Sequence, residues 1–295
     1  MKHLYTFAVA MFLFSLGQNT YAQMSVDDPD DFVDLGLPSG SLWAQKNLGA
    51  TAPEEAGDYF QWGETITRDR CEWESYPYAA FNGDLDIIPL LKYNNNPIYG
   101  EVDNKMILDL EDDAAYKRLG GDWHMPTTAE CQEMVDGCTW SVDSVDGTDP
   151  NYGTAIKMLI FKGVSKANGN TIIFPCAGNK GIMINKPHWW IYGSHGMYWT
   201  SEVTDSMCPA AQYLSFGTVN RQYATEPFIR KDRDRSLGMP VRAIKTVVNN
   251  IENTFLATRD DKQDIVFDLT GKQVDPKSLK SGLYVRGGKK IFIKK

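Results

Sequence analysis

Apolar and polar residues alternate through "FVDLGLPSGSLWAQKNLGA", residues 32–50, on both sides of Pro38-Ser39-Gly40. That period of two around a turn predicts a β-hairpin. A helical period replaces it further along. Asp112 or Asp113 caps a short helix running to Leu119, and Gly120-Gly121 stops it. Pro126 then precedes Thr127, and Glu130 follows three residues on, which is a capping box. Cys131, Met134, Val135 and Cys138 fall at i, i+3, i+4 and i+7, a single apolar stripe. Gly137 is the expected C′ residue of this helix, with Cys138 packing back on the last turn.

The remaining patterned runs read as strands: "AIKMLIFKG" (155–163), "TIIFPC" (171–176), "YWTSE" (198–202), "AAQYLSFG" (210–217) and "MPVRAIK" (239–245). Strands grouped after helices predict an α+β fold with an antiparallel sheet rather than alternating βαβ units. Residues 50–105 are rich in Pro, Gly, Asn and aromatics with weak periodicity, and read as long loops anchored by Tyr59, Phe60 and Trp62. From Ile251 the pattern changes again. "DIVFDL", "GLYVR" and "KIFIK" are short strands between Gly-containing turns, a β module too small to bury much apolar surface alone.

Charge supports this division. The 295 residues carry a net charge of −8, which argues against nucleic acid as a partner. From Asn249 onward the balance is +4, and between residue 22 and that point it is −13. The first 22 residues read as a secretory signal peptide. Lys2 and His3 form a basic start, Leu4–Leu16 an apolar run, and Thr20-Tyr21-Ala22 a cleavage site before Gln23. An acidic leader, 23–32, follows. Export places the chain where disulfides form.

The chain holds five cysteines: Cys71, Cys131, Cys138, Cys176 and Cys208. Seven helical residues separate the Cα atoms of Cys131 and Cys138 by about 10 Å, beyond the ~7 Å limit of a disulfide. They are expected as buried, inert packing residues. Cys71, in the polar "RDRCEWES", is expected to be exposed and to be the odd thiol. Glu130 reads as a cap rather than a base, and His124 as a partly exposed loop residue, since H-E-x-x-H and C-x-x-C spacings are absent. No nucleophile elbow, phosphate-cradling loop or dinucleotide fingerprint is present, so no catalytic residue, metal ligand or cofactor is assigned. The candidate binding segment is "NKPHWWIYGSHGMYW". His188, Trp189, Trp190 and Tyr192 crowd it, and Arg221 and Tyr223 are candidates for the same rim. Such rings stack on sugar faces or anchor a protein partner.

"VDLGLPSGSLWAQKNLGATAPEEAGDYFQWGET" followed by "GGDWHMPTTAECQEMVDGCTW" resembles the Fibrobacter succinogenes major paralogous domain. "GNTIIFPCAGNKG", "GMYWTSE", "AAQYLSF" and "GMPVRAIK" continue the likeness in order, over residues 33–245. The resemblance implies a C-type-lectin-like fold, also used by formylglycine-generating enzymes, and a secreted or surface location typical of Bacteroidetes. It implies that the ends of the domain, 33–246, meet, with "SLWAQKNL" beside "MPVRAIK". Where calcium-dependent lectins carry an E-P-N type loop and a W-N-D strand, this chain has Glu226-Pro227-Phe228 and no W-N-D, so the resemblance does not extend to a calcium-bridged sugar site. Cys176 and Cys208 depart from the family pattern near strand ends, which makes them a disulfide candidate worth roughly 3 kcal/mol. The tail, 247–295, is similar to Bacteroidetes C-terminal sorting modules, which implies an outer-membrane secretion system as partner. The function expected is non-catalytic recognition of a glycan or surface protein. The alternatives are a structural or adhesive assembly component, and a divergent formylglycine-type modifying enzyme using Cys176 and Cys208.

Overall fold

The computed structural model describes residues 31–204, 209–219, 222–223, 226–246, 266–267, 272–274, 282–286 and 289–293. The signal peptide and nearly all of the acidic leader lie outside these residues. In chain order the elements begin with β1 (Phe32–Asp34), β2 (Leu42–Ala44), α1 (Ala114–Leu119), β3 (Trp123–His124) and α2 (Thr128–Gly137). There follow β4 (Cys138–Thr148), β5 (Ala155–Ser165), β6 (Thr171–Pro175), β7 (Asn179–Met183), β8 (Lys186–Trp190), β9 (Gly196–Val203) and β10 (Ala210–Phe216). The described body ends with β11 (Thr218–Val219), β12 (Gln222–Tyr223), β13 (Phe228–Asp234) and β14 (Ile244–Lys245). In the tail, β15 (Val266–Phe267), β16 (Gln273–Val274), β17 (Gly282–Arg286) and β18 (Lys289–Ile293) pair in the order β16-β15-β17-β18. The result is a mostly antiparallel architecture with two α-helices among the described residues, in agreement with the α+β reading.

The predicted hairpin forms, with Val33 opposite Trp43 in β1 and β2. Its partner comes from the far end of the body: Ile244 of β14 lies opposite Trp43, and β14 also pairs with β3. Hydrogen bonds extend this seam beyond the strands. Ala44 N donates to Ala243 O at 2.9 Å, Leu48 N to Val241 O at 3.0 Å, and Phe60 and Met239 exchange two bonds at 3.0 Å each. Trp43 and Ile244 are fully buried there, so the two ends are joined by packing as well as by hydrogen bonds.

Both helices form where the sequence places them. Asp113 Oδ1 accepts from Ala115 N and Tyr116 N, and Gly120 ends α1 at φ 71°. The Thr127–Glu130 capping box opens α2. The stripe Cys131, Met134, Val135 and Cys138 is buried against Trp43, Trp140 and Phe174. Gly137 corrects the expected ending. It is the last helical residue rather than a left-handed C′, and Cys138 starts β4. The glycine serves a close approach: a Cβ on it would lie 2.5 Å from Leu37 Cδ2.

A second apolar cluster centres on Phe60, Trp62, Tyr93 and Trp199, which fixes the 50–105 loops as predicted. Tyr59, Phe60 and Trp62 are all buried. Two guanidinium groups are buried among these rings. Arg235 donates to Ala210 O and Tyr93 O and lies over Trp62. Arg242 donates to Asn47 Oδ1, Ala44 O and Gln45 O, and lies over Phe174.

Candidate functional site

The aromatic segment forms the second strand of another hairpin. β7 and β8 pair over five residues, with Lys180 opposite Trp189 and Gly181 opposite His188. The turn is made by Ile184 (φ 50°) and Asn185 (φ 60°). Positive φ at both central residues matches the twist of a two-residue hairpin, a geometry that favours Asn and Gly and strains a β-branched residue. Ile184 is nonetheless 88% exposed at the tip. Arg70 Nη1 donates to Asn185 O at 3.4 Å, tying the tip to the 68–72 loop.

Alternation places the adjacent tryptophans on opposite faces of β8, and both are half-buried. Trp189 faces the body. Its ring meets Tyr59 edge-on at 6.2 Å, and Lys180 Nζ lies 5.2 Å from its centroid while donating to Arg68 O. Its backbone exchanges two 2.8 Å hydrogen bonds with the Asn151 side chain. On the other face, Trp190 packs edge-on to His188 at 5.1 Å. Its ring lies directly over Gly181, where a Cβ would come within 2.3 Å of it. Gly178, at φ +59°, allows the chain to pass beneath: a Cβ there would lie 2.1 Å from Trp190 O.

Four of the predicted residues, His188, Trp189, Trp190 and Tyr192, therefore gather on and just beyond one hairpin strand. Tyr192 is half-buried, and burial together with Asp149 pushes its hydroxyl pKa up. Arg221 lies outside the described residues. Tyr223 pairs with Thr218 in the separate two-stranded ribbon β11-β12. Sequence reasoning missed Asn151, which splints β8, and its neighbour Tyr152, whose ring is 72% exposed. The signal was an Asx turn in "DPNYGT", in which Asn151 N donates to Asp149 Oδ1 at 2.7 Å.

The thiols require a correction. Cys71 is buried, not exposed, and burial raises its pKa to about 11, Lys180 partly opposing. Cys176 is a free buried thiol raised by burial to about 12. Its candidate disulfide partner Cys208 lies outside the described residues. Cys131 and Cys138 are buried free thiols, as predicted, and burial raises the pKa of both.

His124 is half-buried in β3 rather than in a loop, and its Nε2 lies 3.0 Å from Glu130 Oε1. Burial lowers the imidazole pKa, but the Glu130 hydrogen bond and charge outweigh it and leave it raised. Glu130 thus serves both as cap and as partner. Beside this pair, Ile107, Leu108, Leu110, Asp122, Trp123 and Met125 line a cleft of about 350 Å³. Among the described residues, Asp109, Glu111 and Asp112 converge tightly enough to hold a cation. Lys92 Nζ already fills that place, 3.0 Å from Asp109 and Glu111 and bonded to Asp112. Tyr78 and Tyr93 donate to the same Asp112 carboxylate. This acidic group is a neutralised structural knot.

Comparison with protein-family models, curated proteins and solved structures yields no match to the chain.

Proposed function

We propose that this chain is an exported recognition protein that binds a glycan through the aromatic face of β8, without catalysis. The observation that carries this reading is Trp190, half-buried with part of its ring at the surface and held in one orientation by Gly181 beneath it and His188 beside it. A rigid, amphipathic ring stacks on a sugar face at small entropic cost. Exposed Tyr152 and half-buried Tyr192 supply further ring surface on the adjoining loops. The seam between β2 and β14, closing a loop-rich body, supports a lectin-like arrangement of the Fibrobacter major paralogous kind. The signal-peptide-like start and the basic β tail support export, with the tail as an address for an outer-membrane secretion system. The non-catalytic reading is supported by the burial of every described thiol.

The test is a glycan array with the mature chain, followed by titration of the best ligand. Trp190→Ala should abolish binding with little loss of stability. Trp189→Ala, which removes the contacts to Tyr59 and Lys180, should lower stability and binding together. Unchanged array signals in the Trp189→Ala, Trp190→Ala double variant would show that the hairpin is not the site.

A further inference from the structure

The tip of the β7–β8 hairpin carries a strained apolar residue that no described residue covers. Ile184 has φ 50° and 88% exposure, and its neighbour Met183 is 42% exposed. A β-branched side chain in the left-handed region destabilises the turn, and Asn or Gly would relieve it. Exposure removes any packing benefit within the chain. Lys186, in the first position of β8, is exposed and makes no ion pair among the described residues. The tip is therefore an apolar knob with a basic flank.

The cleft beside His124 has the opposite character. Its apolar rim includes Ile107 at 51% exposure and Leu110 at 58%, over a floor of Leu108, Trp123 and Met125. Asp122 lines it, exposed and without an ion pair among the described residues, and the exposed Glu111 adjoins Leu110. Removing one large aliphatic side chain from a core leaves about 150 Å³. A cleft of about 350 Å³ therefore accommodates Ile184 together with Met183. Size, hydrophobicity and charge match between tip and cleft, yet Ile184 is not seated in the cleft of its own chain.

We propose that the occupant of the cleft is the hairpin tip of a second copy of this chain. Ile184 and Met183 enter between Ile107 and Leu110, and Lys186 meets Asp122. Tip and cleft are different patches, so the contact is heterologous: each copy offers a free tip at one end and a free cleft at the other. Copies then add head to tail into rings or open rows. The contact is small, so association is weak and concentration-dependent. This inference is independent of sugar binding at Trp190.

Sedimentation velocity of the full mature chain at low salt, from about 5 µM to about 0.5 mM, tests it across the range of weak interfaces. The wild type should grow in mass with concentration, and salt should reduce the growth. Ile184→Asn and Leu110→Lys should each weaken association by roughly tenfold or more. Ile184→Asn should also keep or raise the melting temperature, since it relieves the turn; Ile184→Gly provides a second tip deletion. A mixture of the two single variants retains one intact tip and one intact cleft, and should stop at a 1:1 dimer. A wild type that stays monomeric throughout, association that survives both substitutions, or a mixture that forms no dimer overturns the proposal.

Discussion

Replacing Arg242 by Met tests the seam where the two ends of the body join. Arg242 is fully buried, has no carboxylate partner among the described residues, and burial pulls its pKa down to about 10. It therefore remains charged at neutral pH. Its Nε donates to Asn47 Oδ1 at 2.8 Å, and Nη1 donates to Ala44 O at 3.2 Å and Gln45 O at 2.9 Å. Asn47 in turn donates to Glu55 O and Ala56 O, so one guanidinium organises the exit of β2 and the following loop. Methionine restores the packing over Phe174 and removes the cost of a buried charge, but leaves three acceptors unpaired. At about 1 kcal/mol for each orphaned acceptor the gross loss is about 3 kcal/mol, from which the relief of the buried charge and of its unpartnered Nη2 subtracts. At 2–4 °C per kcal/mol for a body of this size, the melting temperature should fall, by no more than roughly 6–12 °C. Denaturant titration of Arg242→Met, Asn47→Ala and the double variant measures this, and the two losses should be strongly non-additive. Stability of Arg242→Met equal to or above the wild type would refute the reasoning. The desolvation cost of the charge would then match everything its hydrogen bonds return.

The His124–Glu130 pair gives a pH window with two edges. His124 is raised above 6.5, so its contribution is complete below pH 6.5 and fades as pH rises through the folded value. Glu130 is lowered from 4.5 (burial opposing, His124 and Thr127 prevailing), so its contribution is complete above pH 4.5 and fades as pH falls. The stability difference between wild type and His124→Gln should therefore peak between these values, at no more than about 1 kcal/mol given the partial exposure. A flat difference from pH 4 to pH 9 counts against the pair. Lys92→Met should cost about 1–3 kcal/mol at neutral pH by removing the ammonium that Glu111 and the buried Asp112 share, while Lys105 keeps its ion pair with Asp109. Asp112 is lowered from 3.8, burial being outweighed by Lys92, Tyr78 and Tyr93, so this cost should shrink as the carboxylate is protonated in acid. Thiol titration of the folded chain should leave Cys71 unreacted until denaturant is added; fast labelling at neutral pH contradicts its burial.

What the sequence revealed follows from which interactions are local. The helix caps and the α2 stripe depend on residues two to four apart and the β1–β2 hairpin on residues at most 12 apart, and each was legible. Nothing local signalled the seam, since Trp43 and Ile244 are some two hundred positions apart; it was expected only from the resemblance drawn on the sequence blocks. β4 was missed because its apolar alternation, Cys138, Trp140 and Val142, is broken by Ser144 and Asp146: beyond Trp140 it is a largely exposed edge strand of the β4-β5-β6 sheet. Cys71 looked exposed because its neighbours are charged, yet Arg68 and Arg70 turn outward to Glu64 and Glu72 while the thiol turns in toward Gly238. Two buried arginines without counter-ions run against the usual location of charge and left no local trace. The aromatic cluster was visible as composition. Its division into a body-facing Trp189 and a Trp190 laid over Gly181 required the β7–β8 register, which the turn Ile184-Asn185 concealed by lacking glycine.

Native-state amide exchange on the seam tests the central claim most directly. The account predicts that the amides of Ala44, Leu48, Phe60 and Met239, all bonded across it, exchange only with global unfolding, at the same slow rate as the β9–β10 amides. If the 42–60 and 239–245 amides exchange rapidly while β9 and β10 stay protected, the ends are not joined, and the rigid platform on which the hairpin depends does not exist.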